Sequence, residues 1–83
     1  MGYYVYIIES VTGFWYYGYS AEPERRSIEH NAGYNVSTRW RGPWKLIFKR
    51  RFEHQKDALA FEKMLKKIRK KKYIQAAYKE YFL

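Results

Sequence analysis

The stretch from Tyr3 to Ser20 leaves this chain the least freedom. "YYVYIIES" (residues 3–10) and "FWYYGYS" (residues 14–20) are dense in β-branched and aromatic residues, and only "VTG" (residues 11–13) lies between them. Such runs suit extended strands, and a short loop with Gly13 in the left-handed position closes them as a hairpin. The loop length sets the pairing: Ser10 faces Phe14, Ile8 faces Tyr16 and Tyr6 faces Gly18. Directly opposed residues share a face, so Tyr6 and Tyr16 become diagonal neighbours about 7–8 Å apart. A two-residue loop would send them to opposite faces. Gly18 between them leaves backbone uncovered, where a ligand can approach closely. Paired tyrosines on a strand face more often serve a core than a site, so the rest of the chain must decide.

Pro23 suits the first turn of a helix, where its missing N–H would be unpaired anyway. That helix runs through Ile28 and His30 and stops near Gly33. Arg26 and His30 are i, i+4 and share a helix face; Arg25 and Glu29 make a second such pair, read as a solvated ion pair. An arginine fork and an imidazole beside two phenols suit a phosphodiester. Residues 31–44, "NAGYNVSTRWRGPW", read as a polar, basic loop carrying Tyr34, Trp40 and Trp44; "WKLIFKRRF" (residues 44–52) reads as a third strand. Trp44, next to Pro43, reads as a cap on the core.

From Gln55 onward there is neither Gly nor Pro, and two apolar stripes follow. Ala58, Phe61, Leu65 and Ile68 form one; Ile74, Ala77, Tyr78 and Tyr81 form another, almost opposite the first at ~100° per residue. One straight helix would expose one stripe, so the spacing predicts two helices with a break within Lys70–Lys72. The order is ββαβαα. It implies an α/β (α+β) fold, with a small three-stranded, mostly antiparallel sheet flanked by helices. Glu62 lies ~40° from Ala58 around its helix and flanks the first stripe. A carboxylate there must be paired, protonated or metal-bound. It either closes a rim salt bridge with a lysine or, if it faces the tyrosines, offers the hard oxygen that Mg²⁺ prefers.

Eighty-three residues predict a single domain, residues 1–83, in which large side chains must do most of the packing; 22% of the chain is aromatic. The absence of cysteine excludes disulfides and thiolate metal sites. The longest apolar run, Tyr3–Ile8, is too short for a membrane span or a signal segment, so the expectation is a soluble, cytoplasmic protein with no membrane association. Seventeen basic against eight acidic residues give a formal +9, which favours polyanions.

These residues carry a resemblance. "YVY" (residues 4–6) and "YYG" (residues 16–18) look like the two signature tripeptides of the GIY-YIG endonuclease superfamily, and Arg26, His30 and Glu62 in "ALAFEKMLKK" match its arginine, histidine and glutamate in order and approximate spacing. "HNAGYNVSTRWRGPWKLI" (residues 30–47) is similar to the small stand-alone bacterial members (UPF0213-like) and to the structure-specific nuclease subunits such as the excinuclease type. Tyr4 departs from the first motif's glycine, Tyr17 from the second's isoleucine, and Tyr19 stands where excinuclease members carry a lysine. The resemblance implies the GIY-YIG fold and hydrolysis of DNA phosphodiesters with one divalent ion, Mg²⁺ or Mn²⁺, on Glu62. It implies that Tyr6 or Tyr16 positions or deprotonates the attacking water, with the choice open. Arg26 would offset transition-state charge, and His30 would relay a proton or contact phosphate.

For gripping DNA the candidates are Arg39, Trp40, Arg41, Lys45, Lys66 and Lys70, the cations on phosphates and Trp40 on an exposed base. A monomer is expected, with a protein partner as one means of targeting. The rival reading keeps the fold as a nucleic-acid-binding module with little or no cutting. A basic structural or ribosome-associated protein would explain the charge but leave the ordered motif set a coincidence.

Overall fold

The computed structural model describes residues 2–33 and 42–83; Tyr34 and the candidate DNA contacts Arg39, Trp40 and Arg41 lie outside the described residues. The chain runs β1 (Tyr3–Ser10), β2 (Trp15–Ser20), α1 (Pro23–Asn31), β3 (Trp44–Phe52), α2 (Gln55–Ile68) and α3 (Lys71–Ala77), closed by a 3₁₀ turn at Lys79–Tyr81. The strands form one antiparallel sheet in the order β2-β1-β3. This is the ββαβαα order of an α+β fold.

The hairpin has the register that its loop length dictates. Ile8 pairs with Tyr16 and Tyr6 with Gly18. Gly13 sits at φ 92°, the left-handed region that a side chain would oppose, and Ser10 N–H donates to Phe14 O at 2.9 Å. On the other side of β1 the register shifts between Ile7 and Ile8, which pair with Phe48 and Leu46 and leave Ile47 as the extra residue. Leu83 N–H donates to Ile47 O at 2.9 Å, so the C-terminal residues line the outer edge of β3.

β1 is covered on both faces, which is why it reads as an unbroken apolar run. Val5 and Ile7 join Phe48, Ala58, Phe61, Leu65 and Ile74 in one cluster, beneath α2 and α3. Tyr6 and Ile8 join Trp44, with Tyr16 and Leu46 against them, on the opposite face beneath α1. Trp44, at 6% exposure, is a core cap as its sequence context suggests. Asn31 fixes the end of α1 to the start of β3, accepting from Trp44 N–H and donating to its carbonyl at 2.8 Å.

The break between the last helices spans Arg69 and Lys70, so it reaches the lysine run as the spacing predicts, with Arg69 left-handed (φ 57°) and its N–H on Leu65 O. Two expectations need correction. Ala77 is exposed, because α3 buries Ile74 alone before the chain turns. Gly18 does not leave backbone open to a ligand: it is buried, and a Cβ there would stand 2.5 Å from Tyr6 Oη. The missing side chain makes room for the Tyr6 ring.

Candidate active site

The site grows from that covered glycine. β2 is an edge strand, and the Tyr6 ring crosses over Gly18 toward it. Tyr6 is 1% exposed. Its hydroxyl lies 3.0 Å from His30 Nε2, delivered by the last turn of α1. The Tyr16 ring lies 4.7 Å from the His30 ring, centroid to centroid, so the imidazole is held between two tyrosines.

Arg26, one turn earlier on α1, meets the same Tyr6 oxygen and ties back to Glu29 at 2.6 Å. The guanidinium can only donate. The Tyr6 proton is therefore directed at His30 Nε2, which accepts as a neutral imidazole. Electrostatics agree with that assignment. Burial, then the neighbouring Arg26 charge, hold the His30 pKa below its ordinary value. Burial pushes the Tyr6 phenol up to about 12, with Tyr16 and Glu62 adding to the rise and Arg26 opposing it. Arg26 itself is held more firmly protonated, chiefly by Glu29.

Glu62 reaches the cluster by an unexpected route. Its helix, α2, packs on the Val5 and Ile7 face, so Glu62 does not stand on the tyrosine face of the sheet as the sequence reading required of a metal ligand. Its charge is nonetheless felt at the Tyr6 hydroxyl. The Glu62 side chain is 14% exposed, with Lys66 Nζ at 3.6 Å; the rim salt bridge weighed from sequence is present as well.

The remaining candidates are more dispersed. Lys66 is part of the Glu62 pair, and Lys70 is exposed at the start of α3. Lys45 is exposed on β3 opposite Glu9, near the hairpin end of the sheet. Sequence reasoning missed the role of Glu29, pairing it with Arg25 alone. Arg25 does meet it at 3.4 Å, but the shorter contact is with Arg26, and the i, i+3 spacing was there to be read.

Among the described residues no group of three or more His, Cys, Asp or Glu could hold a metal ion. A single carboxylate still fits Mg²⁺, which keeps most of its waters and is commonly bound through one or two carboxylates plus phosphate oxygens. It does not fit a closed cage of protein ligands. Among the described residues no helix is long and apolar enough to cross a membrane.

A hairpin carrying two motif tyrosines, an arginine–histidine helix and a glutamate on the next helix define a class. A family model described as the GIY-YIG catalytic domain matches residues 2–75, and the chain belongs to the GIY-YIG family, a nuclease family whose members are generally dependent on divalent metal. Within it, the chain is similar to proteins named UPF0213. It is 36% identical over 73 residues to UPF0213 protein BH0048 of Halalkalibacterium halodurans, covering 87% of this chain and 78% of that protein. With the UPF0213 protein of Haloquadratum walsbyi it shares 39% over 75 residues, 89% of this chain and 84% of the relative. With that of Streptococcus pneumoniae it shares 38% over 65 residues, 77% of this chain and 66% of the relative. The solution NMR structure of UPF0213 protein BH0048 matches with a TM-score of 0.57 at 35% identity, covering 93% of this chain and 83% of that one.

Proposed function

We propose that this protein is a DNA endonuclease that hydrolyses phosphodiester bonds with a single Mg²⁺ or Mn²⁺ ion, acting in the cytoplasm as a monomer. The observation that carries the reading is the meeting of Tyr6, His30 and Arg26 at the Gly18 edge, with the Glu62 charge reaching the same hydroxyl. Glu62 would hold the ion. When bound, it would polarise a phosphoryl oxygen and ease departure of the leaving alkoxide.

The chain's own residues divide the remaining work. Arg26 keeps part of its side chain at the surface (36% exposed) while Glu29 holds its orientation, so the guanidinium can face a phosphate whose charge grows at the transition state. Tyr6 is a positioning residue: a phenol raised to about 12 keeps its proton at neutral pH and uses it to orient His30. Tyr16 is partly exposed and lies against the imidazole, which makes it the better candidate to face the attacking water. His30, kept neutral, is able to take a proton passed through either phenol.

The test is a nicking assay on plasmid, flap, fork and four-way-junction DNA with Mg²⁺ or Mn²⁺, wild type against Glu62→Gln. Metal-dependent cutting that drops by orders of magnitude in the variant, with DNA binding intact, supports the proposal. Equal cutting by both places the activity elsewhere. No cutting of any DNA form, with binding retained, favours the non-catalytic binding module.

A further inference from the structure

Next to the candidate site, an open groove of about 500 Å³ follows the outer edge of β2. The hairpin lines it with Phe14, Trp15, Tyr16 and Tyr17; the α2–α3 junction supplies Lys66, Arg69 and Lys71. Four aromatic rings and three cations, with no acid in the lining, form a surface suited to a single strand. Unpaired bases offer flat faces to aromatic side chains, and their backbone is matched by positive charge. A duplex hides those faces and presents only base edges.

Local features maintain this surface at some cost. Phe14 is 52% exposed, a large apolar ring kept at the surface beside the cations. Lys71 Nζ stands 5.2 Å from the centre of the Trp15 ring and bonds the Gly13 carbonyl, which ties the hairpin loop to the start of α3. Arg69 occupies a left-handed backbone position that glycine would fill with less strain. Its Nε donates to Lys66 O at 3.0 Å, and its charge opposes the upward push of burial on the Tyr17 hydroxyl. The groove is continuous with the candidate site, since Tyr16 lines both and Lys66 sits 3.6 Å from Glu62.

We propose that this groove is a subsite for an unpaired stretch of DNA. A base stacks on the aromatic wall led by Phe14, and Lys66, Arg69 and Lys71 take the neighbouring phosphates. The corollary rests on the nuclease reading above: the preferred substrate carries an unpaired strand beside the bond that is cut.

Fluorescence anisotropy in EDTA tests the groove without any cutting. A fluorescein-labelled oligothymidylate of about twelve nucleotides, within the usual site size of such surfaces, is compared with a duplex of equal length. The single strand should bind at least about fivefold tighter, and Phe14→Ala should weaken it about fivefold or more, as loss of one stacking contact does, while changing the duplex less than about twofold. Three phosphate contacts give a log–log salt slope of roughly −2 on the single strand. Phe14→Leu keeps apolar bulk on the hairpin and should show the same loss; wild-type binding in that variant would assign Phe14 a structural role and overturn the subsite. Equal affinity for both DNAs overturns it too, as does Phe14-dependent binding to phosphatidylserine vesicles with no effect on the oligothymidylate. Lost single-strand preference with intact Mg²⁺-dependent nicking defeats the groove alone. Intact preference without nicking defeats the nuclease reading and its corollary, and leaves the subsite standing.

Discussion

The two faces of the sheet solve different problems with the same central strand. Under α2 and α3, Val5 and Ile7 meet Phe48, Phe61, Leu65 and Ile74 in a cluster of apolar side chains, where shape alone matters. Under α1, the alternate residues of β1 meet a hydroxyl, an imidazole and a guanidinium, and each polar atom must be satisfied by the next. The first face supplies stability that comes chiefly from apolar burial, with the Tyr17 hydroxyl, its pKa raised, at the margin. The second spends part of its burial on titratable groups whose protonation is fixed by one another. At Gly18 the missing side chain makes room for the Tyr6 ring, and the charge of Glu62, from the helix on the apolar face, is felt at its hydroxyl.

The largest expected effect tests the apolar face. Phe48 is fully buried, stacks with Phe61 and meets Phe82 edge to face, so Phe48→Ala should cost about 3–5 kcal/mol in urea unfolding. That is a large share of the roughly 4–12 kcal/mol expected of a domain of this size. A cost below about 1 kcal/mol would mean this face is not the core.

Gly18→Ala strikes the junction between the faces. Its Cβ would meet Tyr6 Oη at 2.5 Å and Cζ at 2.6 Å, and the ring is enclosed, so overpacking of about 1–3 kcal/mol is expected. The NMR signals of Tyr6 and His30 should shift together. An unchanged melting curve would show that Tyr6 has another place to go.

Tyr6→Phe sharpens the contrast through pH. It leaves the His30 Nε2 acceptor without its hydroxyl, at a cost of about 1–2 kcal/mol near neutrality. In the wild type, the folded state keeps Tyr6 protonated beyond the ordinary value of 10.0, so its contribution is whole below pH 10 and is lost as pH rises toward 12. His30 runs the other way: its folded pKa is depressed, so its contribution is whole above 6.5 and is lost as pH falls below that value. Tyr6→Phe should reduce the alkaline loss, leaving the part that the half-buried Tyr17 hydroxyl contributes, and keep the acid one. A variant whose stability falls as steeply above pH 10 would remove Tyr6 from this role.

The smallest effect is at Arg69. Arg69→Gly relieves the left-handed backbone, partly offset by a more flexible unfolded chain, for a net gain under about 1 kcal/mol. Affinity for single-stranded DNA should fall in the same variant. Loss of stability would show that the Arg69 side chain, rather than its backbone, holds the α2–α3 break.

The hairpin and its helix were legible in the sequence because their signals are local. A three-residue loop sets which strand residues are paired, Pro23 opens α1, and four-residue spacing puts Arg26 and His30 together. The face taken by α2 was not legible, since it depends on how the chain turns after β3 and on which side Phe61 and Leu65 find apolar partners. Gly18 was read with its sign reversed. A glycine in a strand signals close approach, but the partner that approaches here is Tyr6 itself, by a side-chain orientation that no periodicity encodes. The helix break was legible from the two opposed stripes, but its first residue, Arg69, was not, because an arginine in the left-handed region carries no sequence signal where a glycine would.

Mn²⁺ broadening of NMR signals tests, without relying on cleavage, the proposal that Glu62 holds one divalent ion beside the Tyr6 hydroxyl at the Gly18 edge. Substoichiometric Mn²⁺ should broaden the amide signals of Tyr16, Gly18 and Glu62 first, sparing Lys49 and Glu24 on the far strand and helix start, and Glu62→Gln should abolish the effect. Broadening that begins elsewhere, or persists unchanged in Glu62→Gln, would contradict it.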